Sequence, residues 1–255
     1  MLGWQLIVGL LLSAGIGLSL GLIGGGGSII TVPVLVYVLG IETHQAISMS
    51  LAVVGATSLV GTSLHHRQGA VDWRTGALFG GSGIPGAYFG PRLTYLFTPA
   101  VLLLIFAGLM LVVAVLMLKN GRNENEAPDH ERSLFKAVLA GLGVGVMTGF
   151  LGVGGGFLIV PALVFFGGLA MKEAIGTSLL VIAINCVAGL LGHLKYGGFD
   201  WRIALLVTVL AAGGTLVGAN LSHRTSPANL KKWFAVFVIT VAIFLAAKNY
   251  QALLS

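Results

Sequence analysis

Gly24-Gly25-Gly26-Gly27-Ser28-Ile29-Ile30-Thr31-Val32-Pro33 interrupts an otherwise apolar run, and Gly152-Val153-Gly154-Gly155-Gly156-Phe157-Leu158-Ile159-Val160-Pro161 does so again 128 residues later. Consecutive glycines cost helix stability in any solvent, and in lipid the backbone groups they free must find partners. Such a break survives only where protein or a water-filled cavity surrounds it, so each stretch is a candidate site.

The rest of the chain sets the solvent. Of 255 residues, 56% are hydrophobic and 9% charged, with a mean hydropathy of +0.99; soluble domains carry about 25% charged residues. Charges cluster in a few places and leave apolar runs of roughly 20 residues, the length that crosses ~30 Å of hydrocarbon as helix. Val101 to Leu118 does not alternate polar and apolar residues, which excludes a membrane barrel strand there. The class is an all-α integral membrane protein. The net charge of +6 sits in short loops, where basic residues set orientation, so it leaves no nucleic-acid footprint. One cysteine, Cys186, excludes an internal disulfide and a multi-cysteine metal cluster, and is expected to pack as a small hydrophobe. Met1 to Ile23 lacks a basic n-region and reads as a first span rather than a signal peptide.

Aligned on itself at an offset of 128, the chain matches without a gap. Gly21 falls on Gly149, Ser50-Leu51 on Ser178-Leu179, His65 on His193, Asp72-Trp73-Arg74 on Asp200-Trp201-Arg202, and Pro99-Ala100 on Pro227-Ala228. This predicts two homologous repeats, residues 1–118 and 134–255, joined by a polar linker over 119–133. Each repeat reads as five helical pieces, of which the second, Ser28 to Leu39, is about 12 residues or roughly 18 Å long. That cannot cross alone, so it is half of a discontinuous span or follows a re-entrant turn. Five crossings per repeat give an inverted repeat and four give a parallel one. With five, the basic residues divide ten to four, the smaller group being Arg92, Lys195, Arg202 and Lys248; with four they divide nine to five. The positive-inside rule therefore favours the inverted repeat with a cytoplasmic linker.

A helix that starts just after Gly27 or Gly155 presents free backbone N-H groups and the positive end of its dipole. Two such half-helices facing each other would bind an anion near mid-membrane through Gly24, Gly25, Gly26, Gly27 and Ser28 on one side and Gly152, Gly154, Gly155 and Gly156 on the other. The plainer alternative is that the glycines let helices pack closely. Bulky replacements at Gly26 or Gly154 separate the two, with Gly81 and Gly83 as reference positions. Pro33 and Pro161 either sit near the first turns of the short helices or kink them. Ser50 and Thr57, and likewise Ser178 and Asn185, are seven apart, so each pair lies on one helix face turned to a polar interior. They are substrate ligands or interhelical hydrogen-bond partners. His65 and His193, at the ends of those helices, are candidates for gating or proton transfer, or cap carbonyls. Asp72 and Asp200 read as helix caps, with Trp73 and Trp201 in the interfacial aromatic belt. No acidic or basic residue lies at the centre of a span. The histidines have no second and third metal ligand at helical spacing, and no His-Glu-x-x-His, Gly-x-Ser-x-Gly or buried carboxylate pair is present, which argues against an enzyme.

The paired glycine breaks with Val32-Pro33 and Val160-Pro161, followed by Ala46-Ile47 and Ser50-Leu51, Ala174-Ile175 and Ser178-Leu179, and helices ending at His65 and His193, resemble the TauE/SafE family of sulfite exporters over nearly the whole chain. The resemblance implies a permease of the cell inner membrane that moves sulfite, sulfonates or similar small anions, with no cofactor; two repeat units rocking about a site at their interface would do so by alternating access. It also implies a substrate near Gly24 to Ser28 and Gly152 to Gly156. A coupling proton or ion, an anion channel, and a permease for another small anion such as a carboxylate stay open.

Overall fold

The computed structural model describes residues 3–94, 96–119, 134–151, 155–193 and 198–249. Every regular element among them is a helix. α1 spans Gly3–Ile23, α2 Gly26–Pro33, α3 Thr43–Arg67, α4 Trp73–Phe89, α5 Pro91–Thr94 and α6 Pro99–Lys119. α7 follows at Leu134–Leu151, then α8 Gly156–Phe165, α9 Met171–His193, α10 Trp201–Arg224 and α11 Pro227–Asn249. Four stretches, Thr43–Arg67, Met171–His193, Trp201–Arg224 and Pro227–Lys248, are each long and apolar enough to cross a membrane. Val8–Ile23, Gly26–Val38, Val101–Val115 and Val138–Leu151 are shorter apolar stretches. The expected linker, from residue 120 onward, lies outside the described residues.

Local chemistry sets the boundaries. Asp72 accepts from the Arg74 and Thr75 amides at 3.0 and 3.1 Å, and Asp200 accepts from the Arg202 amide at 2.8 Å, so both are N-caps. Glu42 caps α3 in the same way, through the amides of His44 and Gln45. Pro33 is the last residue of α2 rather than part of its first turn, and the chain continues from it as a π-turn over Val34–Val38. The proline has no N-H to give the carbonyl four residues back, and the ladder widens just after it. Pro161 likewise sits in the middle of α8, not at its start.

Side-chain neighbours fix the helix directions. A Cβ built on Gly27 would meet Leu20, and one on Gly9 would meet Leu39 at 2.5 Å. α2 therefore folds back along α1 as a hairpin, with the glycine break at its tip. α3 and α9 run antiparallel, since Gly55 faces Cys186 and Gly61 faces Leu179, while Gly176 faces His65. α1 and α10 run parallel and in backbone contact: a Cβ on Gly21 would lie 2.8 Å from the Ala219 nitrogen, and one on Gly218 2.9 Å from the Leu22 nitrogen. α4 and α7 are packed in the same manner, with Gly90 against the Phe150 nitrogen at 2.7 Å and Gly141 against the Phe79 carbonyl at 2.6 Å. Small residues at four-residue spacing permit this approach in lipid, where dispersion rather than water expulsion holds helices together. α6 and α11 pack on each other and close the core through Phe106, Met110 and Phe234, all buried. Leu205, Val209, Leu216 and Val217 of α10 are more than half exposed, as a surface in contact with lipid requires.

The α3/α9 pairing can be tested directly. A Cβ on Gly55 would stand 3.0 Å from the Cys186 Cβ, close enough for a disulfide after a shift of a few tenths of an ångström. Gly55→Cys is expected to cross-link to Cys186 under a membrane-permeant oxidant, with loss of both free thiols by mass spectrometry. Two free thiols after exhaustive oxidation would refute the antiparallel register.

Candidate functional site

The tips of the hairpins meet. Gly25 is the N-cap of α2, and Gly156 is the first residue of α8. A Cβ on Gly156 would lie 2.6 Å from the Gly25 Cα, 2.8 Å from the Ile182 Cδ1 and 3.1 Å from the Ser28 Oγ. Gly156 permits a backbone approach that no side chain could. Each short helix starts at this junction and ends where the following long helix begins, and those long helices, α3 and α9, are antiparallel. α2 and α8 thus leave the junction in opposite directions, with their N-terminal ends head to head.

Two breaks need left-handed backbone at their edges. Gly24 has φ +76 and Gly155, the N-cap of α8, has φ +67, which only glycine adopts freely. Gly24 is held from the other half of the chain: its carbonyl accepts the Ser178 hydroxyl at 3.0 Å. Gly26 and Gly27 are buried and form the first turn of α2, where N-H groups have no partner within the helix. Gly152 and Gly154 lie outside the described residues.

The polar side chains divide into two groups. Ser28 donates to the Gly25 carbonyl at 2.7 Å, Thr57 to the Val53 carbonyl at 2.7 Å, and Ser178 to the carbonyls of Gly24 and Ile175. These protons are committed to backbone. Ser28 does not stand as a free donor at the break, because its hydroxyl reaches back across one turn, as serine does early in a helix. Ser50 Oγ, Ser58 Oγ and both amide atoms of Asn185 have no hydrogen-bond partner among the described residues, although all three residues are 0% exposed. An unmet buried carboxamide costs about 1–3 kcal/mol or more, so these groups are the candidate donors and acceptors for a ligand in this region. Asn185 presses on α4, its Oδ1 and Nδ2 2.6 and 2.8 Å from where a Gly83 Cβ would be. Gly83 is consequently no neutral reference position, whereas Gly81 faces open space.

Thr148 is absent from the residues the sequence singles out. It is fully buried, its hydroxyl has no partner among the described residues, and a Cβ on Gly155 would fall on its Oγ1. It therefore stands at the N-cap of α8. Comparison of the two halves of the sequence hides it, because position 20 in the first half is leucine. His65 and His193 are buried too, and their Nε2 atoms bond to the carbonyls of Gly21 and Gly149 at 3.0 and 2.9 Å. Since a carbonyl only accepts, Nε2 carries the proton in each ring. The histidines cap carbonyls of α1 and α7, not of their own helices, three residues ahead of each break. His66, the exposed neighbour, accepts from the Trp73 indole at 3.1 Å. Elsewhere, an apolar crevice of about 490 Å³ opens on the outer surface between α3, α4 and α9, lined by Leu59, Ile84 and Val187 among others. It contributes nothing polar to the junction. Among the described residues no cluster of three metal-ligating side chains exists.

Apolar helices around a buried, head-to-head pair of half-helices describe a membrane transporter. A sequence profile of the sulfite exporter TauE/SafE family matches residues 9–245. A probable membrane transporter protein of Xylella fastidiosa (strain 9a5c) is 35% identical over 94% of both chains. One of Bacillus subtilis (strain 168) is 30% identical over 88% of this chain and 92% of its own, and one of Methanocaldococcus jannaschii is 23% identical over 90% and 91%. No solved structure matches. The chain belongs to the TauE/SafE sulfite exporter family and is a membrane transporter of that family.

Proposed function

We propose that the protein carries a small sulfur-containing anion, of the sulfite or sulfonate type, across the cell inner membrane by alternating access, binding it where α2 and α8 meet. The observation that carries this is the junction itself: two helix N-termini converge deep in the fold beside the buried Thr148 hydroxyl, which has no partner among the described residues. Helix N-termini favour negative charge, and no acidic side chain is among the buried described residues to oppose it. The family profile supports the sulfur-containing class.

The two halves act as an inverted repeat of five helical pieces each. Equivalent helix starts at Thr43 and Met171, Trp73 and Trp201, and Pro99 and Pro227, together with the opposed directions of α3 and α9, support this. The rocking bodies are not the two sequence halves. α1 is locked backbone to backbone on α10, and α4 on α7, so each rigid body takes one helix from either half and the hairpin tips lie between them. Full burial of Ser50, Ser178 and Asn185 suits the occluded state of a carrier better than the open path of a channel.

In proteoliposomes, sulfite trapped inside should accelerate the uptake of labelled external sulfite. Uptake indifferent to internal sulfite, accompanied by unitary currents, would replace the carrier by an anion channel.

A further inference from the structure

We infer that the α2/α8 junction selects singly charged anions over doubly charged ones, and that the Thr148 hydroxyl is a side-chain donor to the bound anion. The inference rests on the anion-carrier reading above and specifies its substrate class.

The argument is a count of charge. Each helix N-terminus presents about half an elementary positive charge, so two that meet head to head supply about one. No buried fixed charge among the described residues adds to it. Among the described residues the buried polar side chains are serines, threonines, Asn185, His65 and His193, and no lysine, arginine, aspartate or glutamate is buried. Both histidines direct Nε2 at the ends of α1 and α7. Lys172 donates to the His223 carbonyl at 3.0 Å at an exposed helix end. A monoanion is thereby compensated. A dianion would leave a second charge in a low-dielectric interior, and solvation cost rises with the square of the charge.

Thr148 is an observation independent of the helix ends. Its oxygen is fully buried, has no partner among the described residues, and lies against Gly155, the residue that caps α8. The threonine is part of α7, whose close packing on α4 fixes it in place, so the donor is held before any ligand arrives. Neutral hydroxyl and amide donors of this kind suit a singly charged oxyanion.

The test is a binding titration of the purified full-length chain in detergent, read by thermal shift and calorimetry, with three probes. Methanesulfonate is singly charged throughout, sulfate is doubly charged, and sulfite passes from one to the other as pH rises. Methanesulfonate should bind equally well on both sides of the second ionisation of sulfite, while sulfite binding falls in step with loss of the hydrogensulfite form. Sulfate should bind at least roughly tenfold more weakly than methanesulfonate. Since methanesulfonate does not titrate, it also corrects for any titration of the protein. Thr148→Val should weaken methanesulfonate about five- to tenfold, and Thr148→Ser should restore it, with the ligand-free melting temperatures of both close to that of the parent. Sulfate or fully ionised sulfite binding as tightly as methanesulfonate would overturn the charge selection and leave the carrier reading intact. Unchanged methanesulfonate binding in Thr148→Val would overturn the role of the hydroxyl. If none of the three binds, the anion-carrier reading falls and takes this inference with it.

Discussion

Gly17→Ala, Gly214→Ala and Gly145→Ala are each expected to destabilise the protein by about 3 kcal/mol or more, whereas Gly15→Ala, Gly213→Ala and Gly143→Ala should stabilise it by about 0.5–1 kcal/mol. The same chemical change has opposite signs on the same three helices because of what lies opposite. A Cβ at Gly17 would strike the Ala211 carbonyl and come within 2.8 Å of its Cα. One at Gly214 meets the Leu18 nitrogen at 2.8 Å, and one at Gly145 the Gly83 Cα at 2.6 Å. These neighbours are backbone and cannot rotate aside, so the helices must separate along their length and lose contacts at every turn. Gly15, Gly213 and Gly143 have nothing within 4 Å, so alanine there only removes the entropic cost of glycine in a helix. Thermal denaturation in detergent measures all six. If the six shift together, the backbone-contact packing of α1 on α10 and α4 on α7 is wrong.

Gly24→Ala is expected to abolish transport while the protein still inserts and folds. The substitution meets two penalties at once. Its φ of +76 is a left-handed conformation that costs roughly 1–2 kcal/mol for a residue with a Cβ, and that Cβ would be 2.7 Å from the Ser178 Oγ and 2.8 Å from the Ile175 carbonyl. The tip of the first hairpin must move, and with it the N-terminus of α2. Gly40→Ala supplies the control. It has nearly the same backbone strain, φ +66, with nothing within 4 Å. Uptake of labelled sulfite into proteoliposomes should fall by more than about tenfold for Gly24→Ala and stay near the parent value for Gly40→Ala. Equal losses would mean that strain alone is responsible and that the tip has no special part in transport. Gly26 is the milder position of the stretch, since its Cβ would approach Ser19 no closer than 3.3 Å.

Much of this fold can be read from residue order. Asp72 and Asp200 stand directly ahead of apolar runs, and a carboxylate there has one local use, capping amides two and three residues on. The glycine stretches announce themselves as helix ends because nothing else explains them inside lipid. The ends of the short helices are harder. Pro33 reads equally well as an early-turn residue or a kink, and only the π-turn at Val34–Val38 distinguishes them. What the sequence could not show is which hydroxyls are already engaged. Ser28, Thr57 and Ser178 look like Ser50 and Asn185 on a helical projection, yet the first three are bonded to carbonyls one turn away or in the glycine break of the other half, and the last two have no partner among the described residues. Thr148 was invisible for the opposite reason: nothing in its neighbourhood is polar until α8 folds back beside it. The histidines at the ends of α3 and α9 show the same limit, because Gly21 and Gly149 are 44 residues away in sequence.

The pairing of α1 with α10 also has a consequence in time. The Thr215 hydroxyl that bonds the Gly17 carbonyl lies 198 residues downstream of it. At a synthesis rate of ~5–20 residues per second, the first helix waits roughly 10–40 s in the bilayer before its partner leaves the ribosome. Throughout that interval its glycine face is open to any other small-residue helix nearby. Slow translation of the second half, which prolongs that exposure, should therefore lower the yield of folded transporter more than slow translation of the first.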